Sequence, residues 1–475
     1  MEKSKLSRRQ FLGLAAAAAG ASMALAACAP AAQPTAAPAA EATTAPAAEA
    51  TKAPAATAVP ASSGEKVNLR FIKLSMSDPV SSYFNDTAIP GFQKANPNMT
   101  VTVDMSDWDH LGEKLMTSFA GNLPVDLIET GSDWVGPYAK RKQFLPIDDY
   151  ISKDYQDEIG DFYKDMVDIS VYQGQLMGLP YILDIRTMTY RKDQFQEVGL
   201  DPEKPPQTWD DLVAYATKLV QRDSSGNITR AGYMASCGTP GDAFFEYWYH
   251  LVENGSNFIV PWGSWDTKDI KINSPEGVEA LQFLYDLINK YKVTPLTGMT
   301  SKNPDLSPVA AGVASMAFNG SWEIGNWRQY QPDKIANLGI GVPLMKKTRK
   351  NYVCPNVYTI GSNTKHPDQA WALMKYMVSK DVMTGMLSPD ASSPPRKSIA
   401  ADADYMKDPM LQAFQAIPDK GWGTTTPQAM DAPMNYIVGN YVQAALRDQM
   451  TIQAALDKAA ADVAQKIEES AQSQQ

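Results

Sequence analysis

Residues Gly312 to Trp327 read G-V-A-S-M-A-F-N-G-S-W-E-I-G-N-W. Val313 to Phe318 is a short apolar run of strand length, and Asn319-Gly320 is a turn signal. Ser321 is a favourable N-cap, and Glu323 puts negative charge into the first helical turn. The stretch therefore predicts strand, tight turn, helix, with Trp322 at the first helical position beside the carboxyl end of a strand. Ligands of open α/β sheets bind at such ends. A broad indole face next to unpaired helix amides suits a neutral polyhydroxyl ligand, whose C–H face packs on the ring while its hydroxyls meet the amides. The competing reading is a ring that fills a crevice.

Outward from this stretch, the first part of the 475-residue chain is not fold. Ser7-Arg8-Arg9-Gln10-Phe11-Leu12 is a twin-arginine export signal, followed by a weakly apolar run from Leu14 to Ala27. That run is too short and too alanine-rich for a membrane span. It ends in Leu25-Ala26-Ala27-Cys28, which resembles a lipobox and makes Cys28 the expected lipidation site. Residues 1–27 are read as the leader. From residue 28 to about 65 the chain is almost wholly Ala, Pro, Thr, Glu and Ser, the composition of a disordered tether. A lipid and a tether would hang the folded part from the outer face of the cytoplasmic membrane. The whole chain carries a formal charge of −10, and removing a leader of net +3 leaves about −13, which disfavours nucleic acid as a partner. Beyond Cys28 only Cys237 and Cys354 remain, expected as free, buried thiols.

The folded part starts near Val67, where Val67, Leu69 and Phe71 alternate with polar residues. Strand-like and helix-like segments then alternate to the end, which predicts mainly parallel α/β sheets. A folded chain this long exceeds one core, so two lobes are expected. Thr208-Trp209-Asp210-Asp211 reads as a capping box with Trp209 as packing. Ser274-Pro275 opens another helix. Asp223 to Asn227 lacks the closing glutamate of a calcium loop and reads as a hairpin turn. The last helix, from about Thr451, lines up Ile452, Leu456, Ala459, Val463 and Ile467 as a core stripe.

Catalytic and metal chemistry leave little trace. His110, His250 and His366 fit no metal spacing, and no P-loop, dinucleotide fingerprint or nucleophile elbow is present. Neither a metal nor a cofactor is expected, and no catalytic residue is assigned. Paired carboxylates of a glycosidase stay open among 53 acidic residues. Aromatic residues beside short polar ones in loops are the positive signal: Asp107-Trp108, Ser132-Asp133-Trp134, Phe244 to Tyr249, Trp262, Trp265 and Trp422. Together they point to an aromatic-lined cleft.

Several short segments in order resemble the family 1 extracellular solute-binding proteins, the maltose-binding-protein-like components of carbohydrate ABC transporters. They include Gly121-Asn122-Leu123-Pro124-Val125-Asp126, Gly178-Leu179-Pro180, Pro206 to Leu212, Met316 to Trp322, Lys365 to Trp371 and Pro394 to Ser398. The resemblance spans roughly Val67 to Ile467. It implies an α/β fold of two lobes, each discontinuous in sequence and joined by a hinge, of the type II periplasmic-binding kind. It places lobe 1 at 66–183 with 357–396, lobe 2 at 184–356 with 397–470, and a disordered tail at 471–475. It implies a monomeric, non-enzymatic, extracytoplasmic lipoprotein that captures a sugar and delivers it to permease subunits. Carried over by position, its ligand-binding residues are Ser77, Asp78, Asp133, Trp134, Asp184, Phe245, Trp248, Trp322, Asn356 and Arg396. Asp184 could instead pair with Arg186, and Arg396 could brace the hinge. The rival functions are a lipid-anchored carbohydrate-active enzyme and a binder of a polyol, glycerol phosphoester or peptide.

Overall fold

The structure is a computed structural model that describes residues 66–299, 306–430 and 432–472. The leader, Cys28, the tether and the last three residues lie outside the described residues.

Nine strands position the site. They are β1 (Val67–Leu74), β2 (Met99–Ser106), β3 (Leu127–Gly131), β4 (Gly178–Ile185), β5 (Thr187–Arg191), β6 (Met316–Asn319), β7 (Leu338–Ile340), β8 (Asn351–Thr359) and β9 (Gly423–Thr424). One sheet runs β9-β8-β3-β1-β2, with β4 also paired to β8. The other runs β6-β5-β7. β1 is parallel to β2 and β3, in the register Val67 to Met99 and Phe71 to Leu127. β9 is likewise parallel to β8, but the remaining pairings break the expected parallel order. β8 runs antiparallel to β3 and β4, and β6 and β7 run antiparallel to β5. Strand–helix alternation predicts layers, but not the direction of a strand that returns after a long insertion, as β6 does.

The strand period of two divides the buried side chains. Leu69 and Phe71 of β1, Leu127 of β3 and Tyr358 of β8 join Phe84, Phe92 and Trp371 on one sheet face. Their neighbours Ile72, Leu74, Ile128 and Val357 join Leu111, Val135 and Phe144 on the other. In the second sheet Met316 and Phe318 face one cluster while Ala317 faces another. The result is a two-lobed α/β fold, with lobes assembled from separated parts of the chain.

The helices that matter below are α1 (Asp78–Tyr83), α2 (Trp108–Ala120), α3 (Val135–Lys140), α4 (Trp209–Leu219), α5 (Pro240–Glu253), α6 (Pro275–Tyr285), α7 (Trp322–Tyr330), α8 (Pro367–Met377), α9 (Ala432–Leu446) and α10 (Ile452–Gln472). Both arms of the Thr208 capping box on α4 form, and Trp209 stacks on Phe283 at 4.1 Å. Ser274 caps α6 by accepting from the Gly277 amide at 3.2 Å. Asp223 accepts from the Ser225 and Asn227 amides, closing the expected hairpin turn. α10 buries Leu456, Ala459, Val463 and Ile467, and it continues to Gln472, two residues into the stretch expected as a tail. Cys237 and Cys354 are free and buried. Among the described residues no helix is long and apolar enough to cross a membrane.

Around the opening stretch strand and helix form in the predicted order, but the strand is Met316–Asn319, which starts three residues late and takes in Asn319 of the expected turn, and the junction differs. Ser321 already has helical dihedrals (φ −63°, ψ −22°) and caps nothing; its hydroxyl lies 3.4 Å from that of Ser392. Glu323 is buried rather than solvated. It accepts from Ser307 Oγ at 2.5 Å and Trp327 Nε1 at 2.9 Å, and burial pushes its carboxyl pKa up.

Candidate ligand cleft

Three strand ends open into one cavity of about 730 Å³. Ser75 to Asp78 follow β1, Asp133 and Trp134 follow β3, and Ser321 and Trp322 follow β6. Each strand gives way there to a segment that carries Ser or Asp, and the chain turns. The sheet that holds β1 and β3 adds Glu129 and, from β4, Tyr181, and the start of α2 adds Trp108 and Asp109. The opposite wall is Thr239, Asp242 and Phe245 of α5, Asn326 of α7, and Asn435 and Tyr436 of α9. Asp184, Arg186, Tyr352, Asn356 and Asp390 complete the lining.

Trp322 is held from two sides. A Cβ on Gly320 would lie 1.8 Å from the indole, so only glycine lets the ring fold back over the turn. The Arg186 guanidinium lies 4.4 Å from the ring centroid and 5.6 Å from that of Tyr352, within cation–π range. Asp184 grips Arg186 with two bonds of 2.8 Å, to Nε and Nη2. The Asp184–Arg186 pair weighed from sequence is thus formed, and both partners still line the cavity. Asp133 is nearly buried and folds over Gly131, where a Cβ would meet its Oδ1 at 2.2 Å.

On the β1–β3 side of the cavity, Glu129 and Lys73 form an ion pair of 2.5 Å, each side chain 2 % exposed. Glu129 also accepts from the Tyr181 hydroxyl, and Tyr181 stacks on Tyr358 at 4.3 Å. Each buried charge is compensated by the other, without which either would be costly to bury. Ser77 donates to Asp390 Oδ1 at 2.9 Å, and burial raises the Asp390 carboxyl pKa.

Eight of the ten carried-over residues meet in this cavity: Ser77, Asp78, Asp133, Trp134, Asp184, Phe245, Trp322 and Asn356. Two do not. Trp248 is fully buried; its indole N–H donates to Asn257 Oδ1 at 2.8 Å, and its ring meets the edge of Tyr352 behind the lining. Arg396 is 4 % exposed, with its donors spent on Asp161 (2.9 Å), Glu158 (3.2 Å), the Tyr155 hydroxyl (2.5 Å) and the Val378 carbonyl (2.8 Å). It braces the segment from Tyr155 to Asp161 and does not line the cavity. Trp134 stacks on Tyr138 at 5.9 Å and turns only part of its ring to the cavity; Trp108, 46 % exposed, is the open aromatic of that wall.

Among the residues missed from sequence are Tyr352, Asp390, Asn435, Tyr436 and Asp242, while Arg186 was weighed there as the partner of Asp184. Arg186 had a signal, since residues two apart along a strand share a face and Asp184 was already chosen. Asp390 and Asn435 arrive from distant parts of the chain and carry none.

Residues 76–384 match the family described as bacterial extracellular solute-binding protein. A Brucella abortus (strain 2308) protein with a provisional binding-protein name is 23% identical over 372 residues, covering 77% of this chain and 86% of that one. The maltotriose-binding protein of Pyrococcus abyssi is 23% identical over 304 residues, 62% of this chain and 60% of its own. Among solved structures, an ABC transporter solute-binding protein of Thermotoga lettingae bound with α-D-tagatose superposes with a TM-score of 0.72 at 21% identity. It covers 85% of this chain and 100% of that one. At that identity the likeness concerns the fold, while the match of most of the folded sequence concerns descent. The chain is a member of the bacterial extracellular solute-binding protein family.

Proposed function

We propose that this chain is the substrate-binding component of a carbohydrate ABC importer, taking a sugar or oligosaccharide between its lobes. The observation that carries the reading is the makeup of the cavity. Aromatic residues (Trp108, Phe245, Trp322, Tyr352) share the lining of a ligand-sized space at strand ends with carboxylates (Asp78, Asp133, Asp184). Rings take the apolar C–H faces of a sugar, and carboxylates accept from its hydroxyls. Asn356 offers both a donor and an acceptor from the floor. Lobe 1 comprises 66–183 with 357–396 and lobe 2 comprises 184–356 with 397–470, so that closure about the joint buries the ligand. The closed, liganded form is the one that docks on the permease, which makes the sugar a shifter of two populations. Export through the twin-arginine signal and lipidation at Cys28 hold the protein at the outer membrane face as a monomer.

A thermal-shift screen against mono- and oligosaccharides tests this. A ligand at 100 times its dissociation constant stabilises the fold by about 2.7 kcal/mol. Silence across the whole carbohydrate panel would refute the reading. Turnover of an oligosaccharide without any transporter would replace it by the enzymatic one.

A further inference from the structure

One corner of the cleft is short of positive charge. There α5 brings Asp242, α2 brings Asp109, and the Tyr436 ring of α9 lies between them. The Tyr436 hydroxyl is 3.4 Å from Asp109 Oδ1, and a Cβ on Gly241, next to Asp242, would be 4.0 Å from the Tyr436 ring. Burial, then the charge of Asp109, raise the Tyr436 phenol pKa, with Asp242 adding to it. Both carboxylates sit in the first turns of their helices, which accounts for their positions but supplies no counter-ion. Among the described residues the Asp242 carboxylate accepts from the neutral Thr239 hydroxyl alone, at 2.8 Å. His110, next to Asp109 in the chain, turns its ring to Asp107 at 2.6 Å. Among the described residues lining the cavity Arg186 is the sole basic one, and Asp184 holds it.

A second observation comes from Asn435. This residue precedes Tyr436 on α9 and lines the same cavity, is 7 % exposed, and its Oδ1 is buried without a hydrogen-bond partner among the described residues. A buried acceptor left unpaired is costly, so it marks a place where a donor arrives from outside the chain. Trp108 and Tyr436 flank the corner with exposed aromatic rings. Carboxylates, a lone amide oxygen and ring faces share one complement. It is an ammonium group, with three donors and a full positive charge that aromatic faces also attract.

We propose that this corner is a subsite for a protonated amino group, so that the captured carbohydrate is an amino sugar or an oligosaccharide containing one. The proposal rests on the carbohydrate reading above and narrows it. The same charge balance disfavours uronates and sugar phosphates, whose anionic group would meet Asp109 and Asp242.

The test is calorimetric titration of the folded chain at pH 7 and low salt. The probes are mono- and disaccharides in matched glucose, glucosamine, N-acetylglucosamine and glucuronate versions. The free amine is expected to bind at least tenfold more tightly than its neutral and N-acetylated counterparts, with glucuronate the weakest. The advantage shrinks as salt is raised through the Debye range. In an Asp109→Asn, Asp242→Asn double variant the glucosamine affinity falls at least fivefold more than the glucose affinity. Both positions are exposed, and an unchanged melting temperature verifies the fold. Neutral sugars that bind with no preference for the amine, or a preference for glucuronate, overturn this inference alone. A chain that binds no member of the panel overturns the carbohydrate reading and this inference with it.

Discussion

Replacing Trp322 by alanine separates a ligand platform from a packing residue. The ring is 39 % exposed, with one face under the Arg186 guanidinium and an edge against Gly320, so a ligand stacks on what remains open. A sugar face laid there removes on the order of 60 Å² of apolar surface from water, about 1.5 kcal/mol at about 25 cal/mol per Å². The aromatic contact itself adds about 0.5–1.5 kcal/mol. The sum, about 2–3 kcal/mol, raises the dissociation constant about 30- to 150-fold. The unliganded protein loses much less. The cation–π contact with Arg186 is worth about 0.5–1 kcal/mol at a partly exposed site. In a chain of this size that lowers the melting temperature by no more than about 3 °C. The assay is calorimetry for the sugar beside a thermal melt without it. A dissociation constant within threefold of wild type, or a collapse of the apo melting temperature with affinity intact, would show that the ring is packing.

Two further substitutions probe what lies behind the cleft. Arg396→Ala strips a nearly buried guanidinium from Asp161, Glu158 and Tyr155 and should cost about 3 kcal/mol of stability; a large loss of sugar affinity at temperatures where the variant stays folded would return Arg396 to the site. Glu246 supplies a pH dependence, because burial lifts its carboxyl from 4.5 to about 7 while the His250 charge and the Tyr233 hydrogen bond pull the other way. The folded state then holds the proton more tightly than the unfolded chain. Its contribution is complete below the unfolded value and is lost as pH rises from about 4.5 to about 7, by at most on the order of 3 kcal/mol. Glu246→Gln keeps an acceptor for the Tyr233 hydroxyl, now 2.8 Å away, and should flatten that part of the melting profile between pH 5 and pH 8; an unchanged slope would rule the group out.

The three strand ends of the cleft could be read from the chain because each changes character abruptly, from Leu127-Ile128 to Asp133-Trp134 or from Phe318 to Trp322. That change is local. The misreadings are not. Trp248 shares a helical face with Gly241 and Phe245, but it lies one turn beyond Phe245, and that rise carries it behind Tyr352 instead of into the cleft. Arg396 follows Pro394-Pro395 in a segment that does approach the cleft, as Asp390 and Ser392 show. Its own partners lie some 235 residues earlier, where no local pattern announces them. Ser321 has the chemistry of a cap, yet the turn at Gly320 tightens enough to draw it into the helix, with the Glu323 amide bonding back to the Gly320 carbonyl at 3.1 Å. Asn435 and Tyr436 sit in a helix whose sequence says only that it is apolar; their exposure to the cleft depends on how that helix packs against α5.

Arg186 is the lone residue between β4 and β5, and those strands belong to different sheets. Its backbone amide donates to the Tyr352 carbonyl at 2.9 Å while its side chain spans from Asp184 to the Trp322 ring. A single residue therefore leaves no slack at the joint, and the same residue carries the ring. Any swing of one sheet against the other is transmitted to the indole as a tilt. The intrinsic fluorescence of Trp322 should then act as a built-in gauge of lobe angle, readable without a label as the difference between wild type and a Trp322→Phe variant, because Trp108 is the more exposed ring.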